Sequence, residues 1–159
     1  MADMKKIGKA NKKKGSNYER KIANIMSKYT GQRWKRTPYS GAGHISGDVF
    51  CLDFEFPYVI ELKNRRDLSL LKVFKNPQIV AKYLEDNTIL VFNDSGTDII
   101  LVPFEPPEGH SPLYGNRRGN LFFGSILIGE GTNARGYDII NLKEFCNAIT
   151  HVYGDKNEI

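Results

Sequence analysis

Three residues near the middle of the chain combine chemical types that work together at a spacing that lets them meet: Asp48, Glu61 and Lys63. Residues 47–52 and 57–63 are rich in aromatic and β-branched side chains and flank the turn Asp53-Phe54-Glu55-Phe56, the pattern of an antiparallel hairpin. A register symmetric about that turn sets Asp48 opposite Glu61, Phe50 opposite Val59 and Leu52 opposite Pro57. Along the second strand the period of two puts Glu61 and Lys63 on one face and turns Ile60 and Leu62 into the core. Two carboxylates side by side repel unless positive charge sits between them, and a hard divalent cation with oxygen ligands is the commonest solution. Such a cation would polarise a phosphoryl oxygen and lower the pKa of a bound water, while Lys63 could position that water or offset charge growing in the transition state. The competing reading is an exposed charged face on a half-buried strand, with Asp48 merely starting a turn. The apolar run Tyr58-Val59-Ile60 before Glu61 weighs against it, because an isolated carboxylate on a central strand is costly.

These residues need a frame. Ser16 with Glu19 three residues later reads as a capping box, and Tyr18, Ile22, Ile25, Met26 and Tyr29 make a helical stripe that stops at Gly31. A short extended piece follows at 33–36, then the glycine-rich turn Pro38-Tyr39-Ser40-Gly41-Ala42-Gly43. After the hairpin, residues 68–74 and 77–84 have short helical patterns, and 88–92 and 98–103 read as strands parted by Asn93-Asp94-Ser95-Gly96. Residues 105–120 hold three prolines and three glycines and read as a loop, 121–128 as a strand, and 142–153 as a helix capped by Asn141.

The chain has 159 residues and suits a single core. Its longest apolar stretches, 99–104 and 121–128, fall far short of the about 18 residues of a membrane span, and its N-terminus has no apolar signal region, so no membrane partner and a cytoplasmic setting, cellular or in a phage-infected host, are expected. Cys51 and Cys146 stand alone and read as small core residues rather than a disulfide or a zinc site. Charge is uneven: residues 1–36 carry twelve Lys and Arg against two acids, and residues 37–159 carry eleven against sixteen. A basic front on a mildly acidic body is the footprint of a protein that meets a polyanion such as a phosphate backbone, although lysine runs also serve as solvated tails. The domain reading is a flexible basic arm at 1–15 and one domain at 16–159.

Asp48, twelve intervening residues and then Glu61-Leu62-Lys63 resembles the PD-(D/E)-x-K nuclease core. Lys14-Gly15-Ser16, Glu19-Arg20, Arg36, Pro38 and Ser40-Gly41 further resemble the archaeal-type Holliday junction resolvases, over roughly residues 12–103. The resemblance implies an α/β, restriction-endonuclease-like fold with a central mixed β-sheet flanked by helices. It implies that Glu19 completes the acidic cluster, that Asp48, Glu61, Leu62 and Glu19 form the metal set, that Lys63 is the catalytic lysine and that Ser40 is a functional serine. The chain departs from the pattern at Gly47, where the superfamily's proline stands, and at Asn64, where Ser or Thr often follows the lysine. Glu19 also has a local alternative as the capping-box glutamate, although on a helical wheel it lies about 20° from Met26, at the edge of the buried stripe.

The activity implied is Mg2+-dependent hydrolysis of DNA phosphodiesters, with Mn2+ as a possible substitute, on branched DNA such as a four-way junction. The two-fold symmetry of a junction and its need for two matched nicks imply a homodimer. Alternatives are another nuclease on the same core, of nicking, flap or restriction type, an RNA-processing nuclease, or a non-catalytic DNA-binding module. Lys12, Lys13, Lys14, Arg20, Lys35, Arg36, Arg65 and Arg66 lie within a few residues of the site elements and are the expected phosphate contacts. Trp34 and Tyr39 either stack on bases or pack on the sheet, Gln78 either faces the site or solvent, and His44 stands alone.

Overall fold

The structure, a computed structural model, describes residues 2–38, 47–113 and 122–154. Helix α1 (Ala2–Thr30) leads into β1 (Trp34–Arg36), β2 (Val49–Cys51) and β3 (Val59–Lys63). Helix α2 (Leu70–Lys75) and a 3-10 segment (Pro77–Tyr83) cross over to β4 (Thr88–Asp94), followed by β5 (Thr97–Pro103), β6 (Phe122–Ile128), β7 (Arg135–Asn141) and α3 (Leu142–Tyr153). The seven strands form one sheet in the order β1-β2-β3-β4-β5-β7-β6. Among the described residues only β3 and β4 pair in parallel, so the sheet is mixed. With helices on both faces, this is the α/β, restriction-endonuclease-like architecture.

Alternation along β4 splits the core in two. Ile89 and Val91 join Ile22 and Met26 of α1 and Phe145 and Ile149 of α3 on one face. Leu90 and Phe92 join Val73 of α2 and Val80 of the 3-10 segment on the other. The central strands are therefore apolar on both sides, and any polar group on them must lie toward a strand end, where water or a ligand can reach it.

The hairpin register is the one symmetry dictates: Val49 pairs with Ile60, which sets Asp48 beside Glu61. Gly31, at φ +70°, ends α1 as its position implies. Asn141 caps α3, its Oδ1 accepting from the Glu144 N–H at 2.9 Å.

Four local expectations are corrected. Helix α1 begins at Ala2 and not at Ser16, so residues 2–15 continue the same helix, and Ser16 with Glu19 is no capping box. Residues 16–30 supply the docked nucleus, and Ala, Met and Lys are good enough helix formers to propagate it backward at little cost. Tyr29, placed in the buried stripe, is 51% exposed, and Ala23 and Thr30 are buried instead. The pattern at 77–84 is a 3-10 segment, started by Pro77. Strand β7 went unread because Arg135-Gly136-Tyr137-Asp138 breaks the apolar pattern: Asp138 is buried and accepts from Ser125 Oγ at 3.1 Å, and Gly136 leaves room for the Phe104 ring. Leu121, placed at the start of the strand now seen as β6, lies outside the described residues.

Candidate active site

Asp48 sits where β2 begins, and backbone bonds hold it from three directions. Its N–H donates to the Ile60 carbonyl at 2.8 Å, its carbonyl accepts from the Thr37 N–H at 2.9 Å, and its carboxylate Oδ2 accepts from the Leu62 N–H at 2.7 Å. The side chain is thus fixed before any ligand arrives. Gly47 makes this possible. Its φ is +90°, and a Cβ there would fall 2.9 Å from the Ile60 carbonyl oxygen and 3.0 Å from the Ile60 nitrogen.

Electrostatics follows from that placement. Burial raises the pKa of Asp48 most, the Leu62 N–H opposes the rise, and the negative charges of Glu61 and Glu19 add to it, with the result at about 6. Glu61 and Lys63 share a face of β3, as the alternation requires, and form an ion pair of 2.7 Å, each side chain 29% exposed. Burial works against the charge on Lys63, but the Glu61 hydrogen bond and the charges of Glu61 and Asp48 outweigh it, holding the ammonium above the usual lysine range. Its Nζ also lies 5.3 Å from the centre of the Tyr83 ring.

Glu19 comes from α1. Freed of any capping duty, it accepts from Arg36 Nε at 2.5 Å, an ion pair that ties α1 to β1. Asp48 feels the charges of both Glu61 and Glu19, so the three acids named from the sequence belong to one electrostatic neighbourhood. They do not form a finished ligand cage: among the described residues no three His, Cys, Asp or Glu side chains stand at metal-ligating spacing. Glu19 is turned to Arg36 and Glu61 to Lys63. The donor chemistry still suits a hard divalent cation, because Asp48 is a half-buried carboxylate that feels the negative charges of Glu61 and Glu19.

The basic residues fare unequally. Lys12, Lys13 and Lys14 are exposed on α1, and Lys13 and Lys14 line a groove of about 550 Å³ with Asn64 and Asn93, which brings the helix lysines next to the end of β3. Arg20 is exposed and donates to Asn17 Oδ1 at 3.3 Å, and Lys35 and Arg66 are exposed. Arg36 is engaged by Glu19, and Arg65 donates to Asp67 at 2.9 Å. Gln78 is exposed. Ser40, Tyr39 and His44 lie outside the described residues.

Trp34 is not a base-stacking residue. It is 3% exposed, packs edge-on against Phe54 and Phe56, and donates from Nε1 to Thr30 Oγ1 at 3.1 Å. The turn that holds those two phenylalanines is clamped under α3 by Phe145 and Tyr153. Trp34 is the one tryptophan of the chain, so its emission should be blue-shifted and unchanged when DNA is added, and Trp34→Ala should cost about 3–5 kcal/mol in urea unfolding. Quenching of that emission by DNA would contradict this packing.

Sequence reasoning missed Tyr83. It is twenty residues from Lys63, and only the parallel return through α2 and the 3-10 segment brings the two together, so no local pattern could reveal it.

Comparison with protein families matches the chain to the phage putative PDDEXK endonucleases over residues 10–89. The chain belongs to this family. The matched span holds residues 10–30 of α1, with Glu19, and Asp48, Glu61 and Lys63. No curated protein and no solved structure matches the chain. It is therefore a PD-(D/E)XK nuclease, a superfamily that generally uses divalent metal ions and acts on DNA. Among the described residues no helix is long and apolar enough to cross a membrane.

Proposed function

We propose that this PDDEXK protein is an Mg2+-dependent, structure-selective DNA endonuclease that resolves four-way junctions. The observation that carries the metal-dependent chemistry is Asp48, pinned by the Leu62 N–H and raised to about 6 by burial and, after it, by the charges of Glu61 and Glu19. A divalent cation held by Asp48 and Glu61, with Glu19 and the main chain of Leu62 beside them, supplies a Lewis acid for the scissile phosphate and a water of lowered pKa. Lys63 enters as an ammonium, because Glu61 and Asp48 hold its charge. It therefore positions the attacking water and balances negative charge on the phosphate rather than removing a proton. Arg36 keeps Glu19 turned toward the sheet, and α1 carries Lys12, Lys13 and Lys14 to the flanking phosphates.

Junction selectivity is supported by the residues shared with archaeal-type resolvases on α1 and β1, of which Arg36 and Glu19 form the pair described above. Two matched nicks call for two copies of the site, so a homodimer is part of the reading. The test is end-labelled cleavage of a four-way junction, a flap and a linear duplex of shared sequence, with Mg2+ or EDTA, by wild type and Glu61→Gln. Paired symmetric nicks on the junction alone, lost with EDTA and in the variant, are expected. Equal cutting of all three substrates would leave a nuclease of another specificity. A monomer by light scattering, both free and on junction DNA, would remove the dimer.

A further inference from the structure

Next to the β3 end, on the sheet face away from α1, α2 and the 3-10 segment enclose a cleft of about 560 Å³, within the size range of small-molecule sites. Its lining has two chemistries. Lys72 and Lys75 of α2 and Lys82 of the 3-10 segment supply cations, while Leu68, Ile79 and the Tyr83 ring supply an apolar surface. Its one carboxylate, Asp67, is already engaged by Arg65 at 2.9 Å. None of the three lysines has a salt bridge among the described residues, and Lys82 Nζ lies 5.0 Å from the centre of the Tyr83 ring. Three lysines around one cleft repel one another, an arrangement that an anion relieves.

Tyr83 joins this cleft to the active site, since the same ring has Lys63 Nζ at 5.3 Å. A ligand in the cleft is thus a near neighbour of the reacting phosphate. A cationic rim over an apolar and aromatic surface fits a nucleotide, whose phosphates meet lysines and whose base packs on carbon, better than it fits bare duplex backbone, which offers no free base face.

We propose that the cleft between α2 and the 3-10 segment binds an unpaired nucleotide of the substrate DNA strand, next to the phosphodiester to be cut, with Lys72, Lys75 and Lys82 on its phosphates and its base against Tyr83. The inference rests on the assignment of the chain as a PDDEXK nuclease and deepens it, naming single-stranded or branched DNA as the form the site accommodates.

The test reads binding and not cleavage, so it stands apart from the junction assay. A fluorescein-labelled 12-nucleotide single strand is titrated by anisotropy in EDTA over a range of salt, with wild type, Lys72→Ala/Lys75→Ala/Lys82→Ala and the control Lys143→Ala on α3. Loss of three phosphate contacts should lower the slope of log affinity against log salt by about 2, and affinity at low salt by about tenfold or more, with the control at wild type. A second strand carries 2-aminopurine, whose emission should be quenched on binding to wild type and to Tyr83→Phe, and to a lesser degree on binding to Tyr83→Leu. Circular dichroism melts confirm that each variant is folded. A triple variant with the wild-type salt slope overturns the proposal. So does a reduced slope without any 2-aminopurine quenching, because the cleft would then grip backbone alone. If single strands bind as expected but the junction is not cut selectively, the cleft stands and the resolvase reading falls.

Discussion

Asp48→Asn should reduce cleavage by at least about 10³-fold while making the metal-free protein more stable at neutral pH. The loss of activity follows from removing the pinned carboxylate around which the cation would sit, a contribution of several kcal/mol to the barrier. The gain in stability follows from the charge Asp48 carries. Its pKa is about 6 in the fold against an ordinary 3.8, so folding disfavours its ionised form. Above pH 6 the carboxylate is charged in both folded and unfolded chains and the full penalty applies. As pH falls through 6 the folded state takes up a proton that the unfolded state does not, so stability rises until about pH 4, where both are protonated. With the partial exposure of the site screening these charges, the neutral asparagine should recover about 1–2 kcal/mol. Urea melts of wild type and variant at pH 7.5 and pH 5, in EDTA, check this: the difference should be largest at pH 7.5 and shrink at pH 5. A variant less stable than wild type at both values would mean that the Leu62 hydrogen bond outweighs the charge. DNA binding in EDTA should be kept, since the proposed phosphate contacts are lysines and not the acids.

Gly47→Pro, the change that would restore the superfamily's proline, should be damaging. Proline holds φ near −65°, whereas Gly47 stands at +90°, and any side chain there meets the Ile60 backbone. Strain of about 1–3 kcal/mol from the backbone alone, with the displacement of β2 from β3 added, gives an expected loss of about 3–5 kcal/mol for Gly47→Pro and about 2–4 for Gly47→Ala. Because Gly47 adjoins Asp48, the same shift should loosen the Asp48 to Leu62 hydrogen bond, so Mg2+-dependent cleavage should fall even where the protein stays folded. Thermal melts with a cleavage assay below the melting point separate the two effects. Variants as stable and active as wild type would show that the chain readily takes another path into β2.

The hairpin, its register and the meeting of Asp48 with Glu61 were legible because period-two alternation and a symmetric turn depend only on nearby residues. The core side of α1 was legible for the same reason, since Tyr18, Ile22 and Met26 repeat at helical spacing. What escaped depended on partners distant in sequence. Glu19 looks like a cap until Arg36 is seen beside it, and Trp34 looks available for stacking until Phe54 and Phe56 close over it. Strand β7 hides behind Gly136 and Asp138, whose reasons are Phe104 and Ser125. The start of α1 escaped for the opposite reason: a lysine-rich stretch has no periodicity to read, yet continues a helix that packing elsewhere has nucleated.

That continuity makes α1 a ruler. Lys12, Lys13 and Lys14 stand five to seven residues before Glu19 on one unbroken helix, which at 1.5 Å per residue sets them about 8–10 Å along the axis from the acid. One additional residue inserted between them would lengthen that distance by only about 1.5 Å but would turn the lysines by about 100° around the helix relative to the acid. On the proposed reading of these lysines as phosphate contacts, the place of the cut is dictated by helical phase more than by length.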